Sequence, residues 1–310
     1  MLVPRSTIAL AVVVALAGCA TEEAGDTPPA SEGGITVAGV GLSTPEAVLH
    51  DAVADVYLVS NIAGAPTDVD GNGFISRLSP DGEVLDLRWI DGADEGVELN
   101  APKGMEILGD SLYVADLDCV RIFLRTTGAP AGRFCFRDAT FLNDVAVDQN
   151  RTLYVTDTGM RAGPQGLEPS GTAAIYRFFT DGRWARITSG EELGNPNGIA
   201  VGSRGVFVVT FGSGEVYQLA PDGTRTRVLS DPQLDGIEFM GDGGFLYSSW
   251  GASAVYQVTP AGEKITVVEG VDAPASIGYD ASRGRVLVPL FNEDEIWIRN
   301  VPGAEAAGSP

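Results

Sequence analysis

The stretch "LNDVAVDQNRTLYVTDTG" (142–159) decides how the chain is read. Two short apolar runs flank the polar "DQNR", which reads as two successive strands joined by a turn. The second of these strands recurs six times, as "VYLVSN" (56–61), "SLYVADLD" (111–118), "TLYVTDTG" (152–159), "GVFVVTFG" (205–212), "FLYSSWG" (245–251) and "RVLVPLF" (285–291). The spacing averages roughly 46 residues, in the range of a four-stranded propeller blade. Before each copy stands a further strand: "PEAVLHD", "PKGMEIL", "LNDVAVD", "PNGIAVG", "LDGIEFM" and "PASIGYD". After each comes another, commonly closed by a Gly turn, as in "FISRLSPDG" and "EVYQLAPDG". No helical periodicity interrupts the series. A β-sandwich would not produce six phased copies, so the expected fold class is all-β, a six-bladed β-propeller with four-stranded blades.

The last blade is one strand short. After "EIWIRN" the chain runs into "VPGAEAAGSP", whose Gly, Ala and Pro make a poor strand. At the other end "GITVAGV" (34–40) is a β-branched run without a partner of its own. Ile35–Val40 is therefore expected to close the ring as the outermost strand of the sixth blade, paired near Glu295–Arg299, because an open blade edge invites aggregation. On this reading the propeller spans residues 34–301 and residues 302–310 form a flexible tail.

Stacking the six innermost strands aligns Glu46, Lys103, Asn143, Asn197, Asp235 and Ala275 around the central channel at one face. Glu, Asn, Asn and Asp offer hard oxygen ligands with two formal negative charges, which suits Ca²⁺ or another divalent cation. Zinc is disfavoured, since the only His is His50 and no free Cys falls on the ring. Turns favour Asn and Asp, but Glu46 is not a turn residue. Lys103 is unexpected beside a calcium site. A charge pair at 4 Å is worth about 4 kcal/mol at an effective dielectric near 20, and roughly double that against a divalent ion. Either Lys103 points away, towards Asp116, or its ammonium takes part of the metal's place.

Two long loops share the face of the ring. "AGAPTDVDGNG" (63–73) carries Asp68, Asp70, Asn72 and Gly73 at the spacing of an EF-hand loop, yet Ser79 stands where that loop needs its bidentate Glu. The flanking segments read as strands, so the expected role is an Asx- and Gly-rich turn at the pocket rim, with a weak second calcium as the alternative. "MRAGPQGLEPSG" (160–171) is its counterpart in the third blade. Both are expected to wall the ligand site, with Lys103, Phe141, Asp70 and Asn72 as substrate-binding residues.

At Pro45-Glu46, "LNDVAVD" with Asn143, "NPNGIAV" with Asn197 and "LDGIEF" with Asp235, the chain resembles the senescence marker protein/gluconolactonase/luciferin-regenerating enzyme family. The resemblance covers residues 40–300. It implies a six-bladed propeller with one Ca²⁺ or similar ion at the channel mouth, held by Glu46, Asn143, Asn197 and Asp235, and a lactone or organophosphate hydrolase activity. Gluconolactonases of the family carry an Arg two residues before the first Asn, where this chain has Phe141. With Lys103, that departure weakens the sugar-lactone reading.

The enzymatic reading makes the protein a calcium-dependent hydrolase of lactones, esters or phosphoesters, with Asp235 or Glu46 as the base for water, or Asp235 as nucleophile. No Ser-His-Asp arrangement competes, and His50 reads as a strand-end histidine. The alternative is a non-catalytic, envelope-anchored binding propeller, favoured by Lys103 and Phe141.

Bulk properties set the surroundings. Arg5 precedes the apolar "STIALAVVVALAGC", too short for a permanent membrane span. Its end, Leu16-Ala17-Gly18-Cys19, resembles the lipobox of bacterial lipoproteins and implies a signal peptide over 1–18 and a lipid on Cys19. Residues 19–33 then read as a flexible tether, and the protein as an exported lipoprotein on the cell envelope, in the periplasm or at the outer membrane. In an oxidising compartment Cys119 and Cys135, equidistant from the turn at Thr127-Gly128, are candidates for a cross-strand disulfide, with two free thiols as the alternative. With 20 basic and 42 acidic residues, the net charge of −22 disfavours nucleic acid and polyanionic substrates. The expected partners are a small molecule and, through the lipid alone, a membrane; the expected state is a monomer.

Overall fold

The computed structural model describes residues 34–304. The signal peptide, Cys19 and the tether lie outside the described residues, as does most of the tail. Six antiparallel four-stranded sheets follow one another, each a meander from the channel outwards. Their inner strands are Pro45–Asp51, Pro102–Leu108, Leu142–Val147, Pro196–Gly202, Leu234–Phe239 and the short Gly278–Asp280. The second strands are Val56–Asn61, Ser111–Asp116, Leu153–Asp157, Gly205–Thr210, Phe245–Ser249 and Arg285–Leu290. The protein is a six-bladed β-propeller, and its one helical element among the described residues is a single 3₁₀ turn, Glu191–Leu193.

The hydrophobic core is divided among the blade interfaces. Each buried cluster takes residues from two neighbouring blades: Leu58 and Ile75 with Met105 and Val114, for example, or Val209 and Val216 with Leu234 and Tyr247. A central strand of a blade is covered on both faces, so its sequence is mostly apolar, with polar residues at the end near the channel mouth. Val56–Asn61 is buried along its whole length. Because apolar area is satisfied between blades, the axis needs no core of its own and stays open as a channel.

The ring closes where the strand count requires. Ile35–Val37 pairs antiparallel with Glu295–Asn300, with Thr36 opposite Trp297. The strand is shorter than the expected Ile35–Val40: from Ala38 the chain turns away to reach the first blade. Val37 is buried with Leu287, Ile296 and Ile298. Arg299 clamps the added strand, donating to the Ile35 carbonyl at 2.6 Å and to the Thr36 hydroxyl at 3.1 Å.

In the second blade Cys119 faces Cys135 across the third and outer strands, and their sulfurs are bonded.

Candidate functional site

Five of the six inner strands share one irregularity that builds the site. Each pairs regularly with its second strand except around the ring residue, where the register slips: between Pro45 and Ala47, Pro102 and Met105, Leu142 and Val145, Pro196 and Ile199, and Leu234 and Ile237. These are β-bulges, which release a residue from the ladder and re-aim its side chain. Glu46, Lys103, Asn143, Asn197 and Asp235 are those residues. The N–H freed by the bulge is taken up by a hydroxyl on the second strand: Ala47 N–H donates to Ser60 Oγ at 2.9 Å, Asp144 N–H to Thr156 Oγ1 at 3.1 Å and Gly236 N–H to Ser248 Oγ at 2.8 Å. Two of these hydroxyls donate onward to the next ring position, Thr156 to the Asn197 carbonyl and Ser248 to the Ala275 carbonyl. Glycine follows the ring residue in three blades, Gly104, Gly198 and Gly236, because a neighbouring blade passes close by. A Cβ on Gly198 would come within 2.5 Å of the Asp235 carbonyl oxygen.

The segments entering the ring are fixed too. Thr44, Asn195, Gln233 and Ala273, each two residues before a ring position, have φ between 43° and 60°. Left-handed backbone at non-Gly residues costs about 1–2 kcal/mol and is retained where the surroundings over-determine it. Their carbonyls accept the N–H groups of Ile62, Phe211, Trp250 and Phe291, the residues that leave the second strands.

The product is a cavity of about 360 Å³ at the channel mouth. Glu46, Lys103, Asn143, Asn197 and Asp235 line it, all at least 96% buried except for the openings they share. Glu46 Oε2, Asn143 Oδ1, Asn197 Oδ1 and Asp235 Oδ1 have no hydrogen-bond partner. Buried polar atoms are rarely left so, since each costs about 1–3 kcal/mol. Five of the nine such atoms among the described residues line this one cavity, the fifth being the indole nitrogen of Trp250. Four converging acceptors, two of them carboxylate and two amide, ask for a hard cation of the calcium type. The residues therefore fit the metal that the family resemblance implies. Among the described residues no group of three or more His, Cys, Asp and Glu side chains is placed to hold a metal.

The carboxyls feel their confinement. Burial first, then the Asp235 charge, push Glu46 well above the usual carboxylate range, against the pull of Lys103. Burial and then the Asp144 charge push Asp235 up to about 8. Asn197 Nδ2 donates to Asp235 Oδ2 at 3.3 Å, leaving Oδ1 towards the cavity.

Lys103 does not point to Asp116. Its ammonium donates to the carbonyls of Ala101 at 2.9 Å and Pro66 at 3.1 Å, and lies 4.4 Å from the centre of the Phe141 ring. Burial lowers its pKa to about 8. Asp116 is engaged elsewhere, accepting from Arg121 Nε at 2.9 Å and from the Ala101 N–H at 2.8 Å. Lys103 thus ties the loop after the first blade's second strand to the ring, through two carbonyls and an aromatic face that all stabilise a cation.

That loop supplies Ile62 and Pro66 to the cavity, and the third-blade segment supplies Met160 and Leu167. The latter is a hairpin, Met160–Gly163 with Gly166–Pro169, rather than an irregular loop. Asp70 and Asn72 do not line the cavity. Asp70 Oδ1 accepts from the Asn72 N–H at 3.2 Å in an Asx turn, and Asn100 Oδ1 caps Gly71 N–H at 3.1 Å. With Asp68 also exposed, this segment is a turn that presents Pro66.

Sequence reading missed the inner end of the channel. A second cavity of about 200 Å³ there is lined by Glu106, Asp144, Glu238 and His50, among others. Burial raises the Glu106 and Asp144 carboxyls to about 7. Glu106 and Glu238 each lie three residues past their ring residue, a signal available in "PKGMEIL" and "LDGIEFM". Asp144 accepts from the Ile199 N–H at 2.8 Å and so joins two blades. His50 faces Asp55 and Asp280 at 3.4 and 3.5 Å, away from the mouth.

Solved structures with this architecture include a luciferin-regenerating enzyme at 11% identity and TM-score 0.65, covering 89% of this chain and 98% of that one. A candidate gluconolactonase aligns at 16% identity and TM-score 0.64, over 87% and 92% of the two chains. Virginiamycin B lyase from Staphylococcus aureus aligns at 11% identity and TM-score 0.62, over 87% and 99%. The chain shares their fold. No family model and no curated protein sequence matches it. At such identities the likeness establishes architecture, and any activity must be argued from the site.

Proposed function

We propose that the protein is a calcium-dependent hydrolase of lactones, esters or phosphoesters, working at the channel mouth. The observation that carries this reading is the set of four unpartnered buried oxygens on Glu46, Asn143, Asn197 and Asp235 in a cavity open to ligand. These residues would hold the ion, which when bound supplies Lewis-acid polarisation of a carbonyl or phosphoryl oxygen. Asp235 is the residue assigned to the water. Asn197 fixes its Oδ2, so Oδ1 can take a proton as the water oxygen bonds to the acyl carbon or phosphorus. The ring or ester C–O (or P–O) bond then breaks, and the departing oxygen receives that proton from Oδ1. Bulge hydroxyls and left-handed entry segments hold the ring residues in place, which serves the positioning such a reaction needs.

The lipobox-like Leu16–Cys19 supports an exported, envelope-anchored protein. A non-catalytic binding propeller is the second reading, favoured by Lys103 standing in the ring beneath Phe141. Hydrolysis of lactone and aryl phosphotriester substrates, followed with Ca²⁺ and with a chelator, separates the two. The enzyme reading expects activity that requires Ca²⁺ and is lost by at least roughly a hundredfold in Asp235→Asn, on the scale of a lost catalytic base. Turnover unchanged in that variant would remove Asp235 from the reaction, and no hydrolysis by wild type in Ca²⁺ would leave the binding reading.

A further inference from the structure

The wall above the ring has its own repeat. The residue that leaves each second strand is Ile62, Leu117, Thr158, Phe211, Trp250 and Phe291 in blades one to six. Five of the six are apolar, and the last three are aromatic on consecutive blades. Phe211 and Trp250 stand 5.4 Å apart edge to face, and Trp250 and Phe291 5.2 Å apart. Unlike the fully buried core rings, these three are half-buried and open into the cavity. Phe141 adds a fourth ring from the third blade, and Met160 and Leu167 overhang from the hairpin. Leu167 is 47% exposed and lines the cavity from this overhang.

The polar groups on this wall are already spent. Thr158 Oγ1 donates to the Pro196 carbonyl at 2.8 Å, Asn195 Nδ2 donates to the Thr158 carbonyl at 3.0 Å, and both Lys103 hydrogen bonds go to carbonyls. What remains for a ligand is the four ring oxygens at the floor and few donors, the Trp250 indole N–H being shared with Asp235. With the four ring oxygens taken up by the ion of the proposed function, a polyhydroxylated sugar lactone would bury several hydroxyls here without partners, at about 1–3 kcal/mol each. An apolar ligand loses nothing and gains the ring faces.

We propose that the site takes a small apolar molecule, an alkyl- or aryl-bearing lactone or ester, whose one reactive oxygen reaches the floor while its hydrocarbon part lies against Phe211, Trp250 and Phe291. The volume admits about a dozen water-sized groups, which limits the ligand to roughly that many non-hydrogen atoms. Specificity against sugars comes from the absence of free polar groups on the wall. This inference rests on the hydrolase reading of the same site for its metal and its chemistry, and binding and turnover are read separately.

The experiment compares δ-decanolactone with D-glucono-δ-lactone on the full chain. Binding is read in Ca²⁺ from tryptophan fluorescence immediately after mixing, before turnover, and hydrolysis by acid release in Ca²⁺. δ-Decanolactone is expected to bind at least roughly a hundredfold more tightly than gluconolactone. Phe211→Ser should weaken it about tenfold, whereas Phe211→Leu, which keeps an apolar side chain, should retain it. Equal or tighter binding of gluconolactone overturns the inference, even if that lactone is hydrolysed and the hydrolase reading stands. Binding of neither lactone also overturns it. Tight binding of δ-decanolactone without acid release in Ca²⁺ supports the apolar site and overturns the hydrolase reading instead.

Discussion

Replacing Asn143 by Leu should change the stability of the protein in opposite directions with and without calcium. Metal-free protein buries Asn143 Oδ1 without a partner, together with the oxygens of Glu46, Asn197 and Asp235. Removing one such acceptor and filling its space with hydrocarbon should stabilise the metal-free state by about 1–3 kcal/mol. For a domain of roughly 270 residues, 1 kcal/mol corresponds to about 2 °C in the unfolding midpoint. The metal-free variant should therefore melt about 2–6 °C above metal-free wild type. Calcium at a hundred times its Kd adds about 2.7 kcal/mol to wild type, or roughly 5 °C. On the proposed ligand set the variant lacks one of four ligands and should show little of that rise. Differential scanning calorimetry in chelator and in millimolar Ca²⁺ measures both effects. A variant that melts below wild type in chelator, or that keeps the full calcium shift, would refute the assignment of Asn143 as a ligand left unsatisfied by the protein itself.

Lys103→Met removes a cation from beside the ring, so Ca²⁺ should bind more tightly, on the order of tenfold or more given the cost of a like charge near a divalent ion. The same change strands the Pro66 and Ala101 carbonyls and should cost about 1–3 kcal/mol of stability. Converting Cys119 and Cys135 both to Ala opens a loop of sequence separation 16 and should cost roughly 3 kcal/mol in denaturant unfolding without altering calcium binding. Val37→Ala in the closing strand should cost roughly 1.5–3 kcal/mol, because the methyls removed pack against Ile296 and Ile298; a surface-like loss below about 0.5 kcal/mol would show that the strand does not hold the ring. Asp280 supplies the acid limit. Burial alone would raise its pKa, but hydrogen bonds from Ser282, Tyr57 and Arg283 prevail and hold it at about 2, below the ordinary 3.8 of an aspartate. A depressed carboxylate stabilises the fold above its unfolded pKa, so this contribution should fade as pH falls from about 4 to 2. The midpoint of Asp280→Asn should depend less on pH across that window, and an unchanged slope would count against the Tyr57–Asp280 contact at 2.7 Å.

The period, the blade number and the strand order were legible because a propeller repeats its local chemistry. Each second strand is buried on both faces and must be mostly apolar, and each inner strand must turn at the same place. Closure by the segment beginning at Ile35 followed from counting strands, and the ring residues followed from stacking the repeats. None of this needed long-range geometry. What the repeats could not carry was direction. Whether Lys103 turns to Asp116 or to Pro66 depends on a loop 37 residues away in sequence. The bulges that aim Glu46, Asn143 and Asp235 inward depend on hydroxyls in the facing strand, and Asn197 on a hydroxyl from the neighbouring blade. That Asp70 and Asn72 fold into a turn rather than a ligand set depends on Asn100 reaching Gly71 across 29 residues. The apolar wall of Phe211, Trp250 and Phe291 lies in the same repeat, yet in sequence those rings look like any core residue. Only the tertiary structure leaves them half open, because the blades bury their own faces against each other and the rings stand at the rim of a channel that no blade fills.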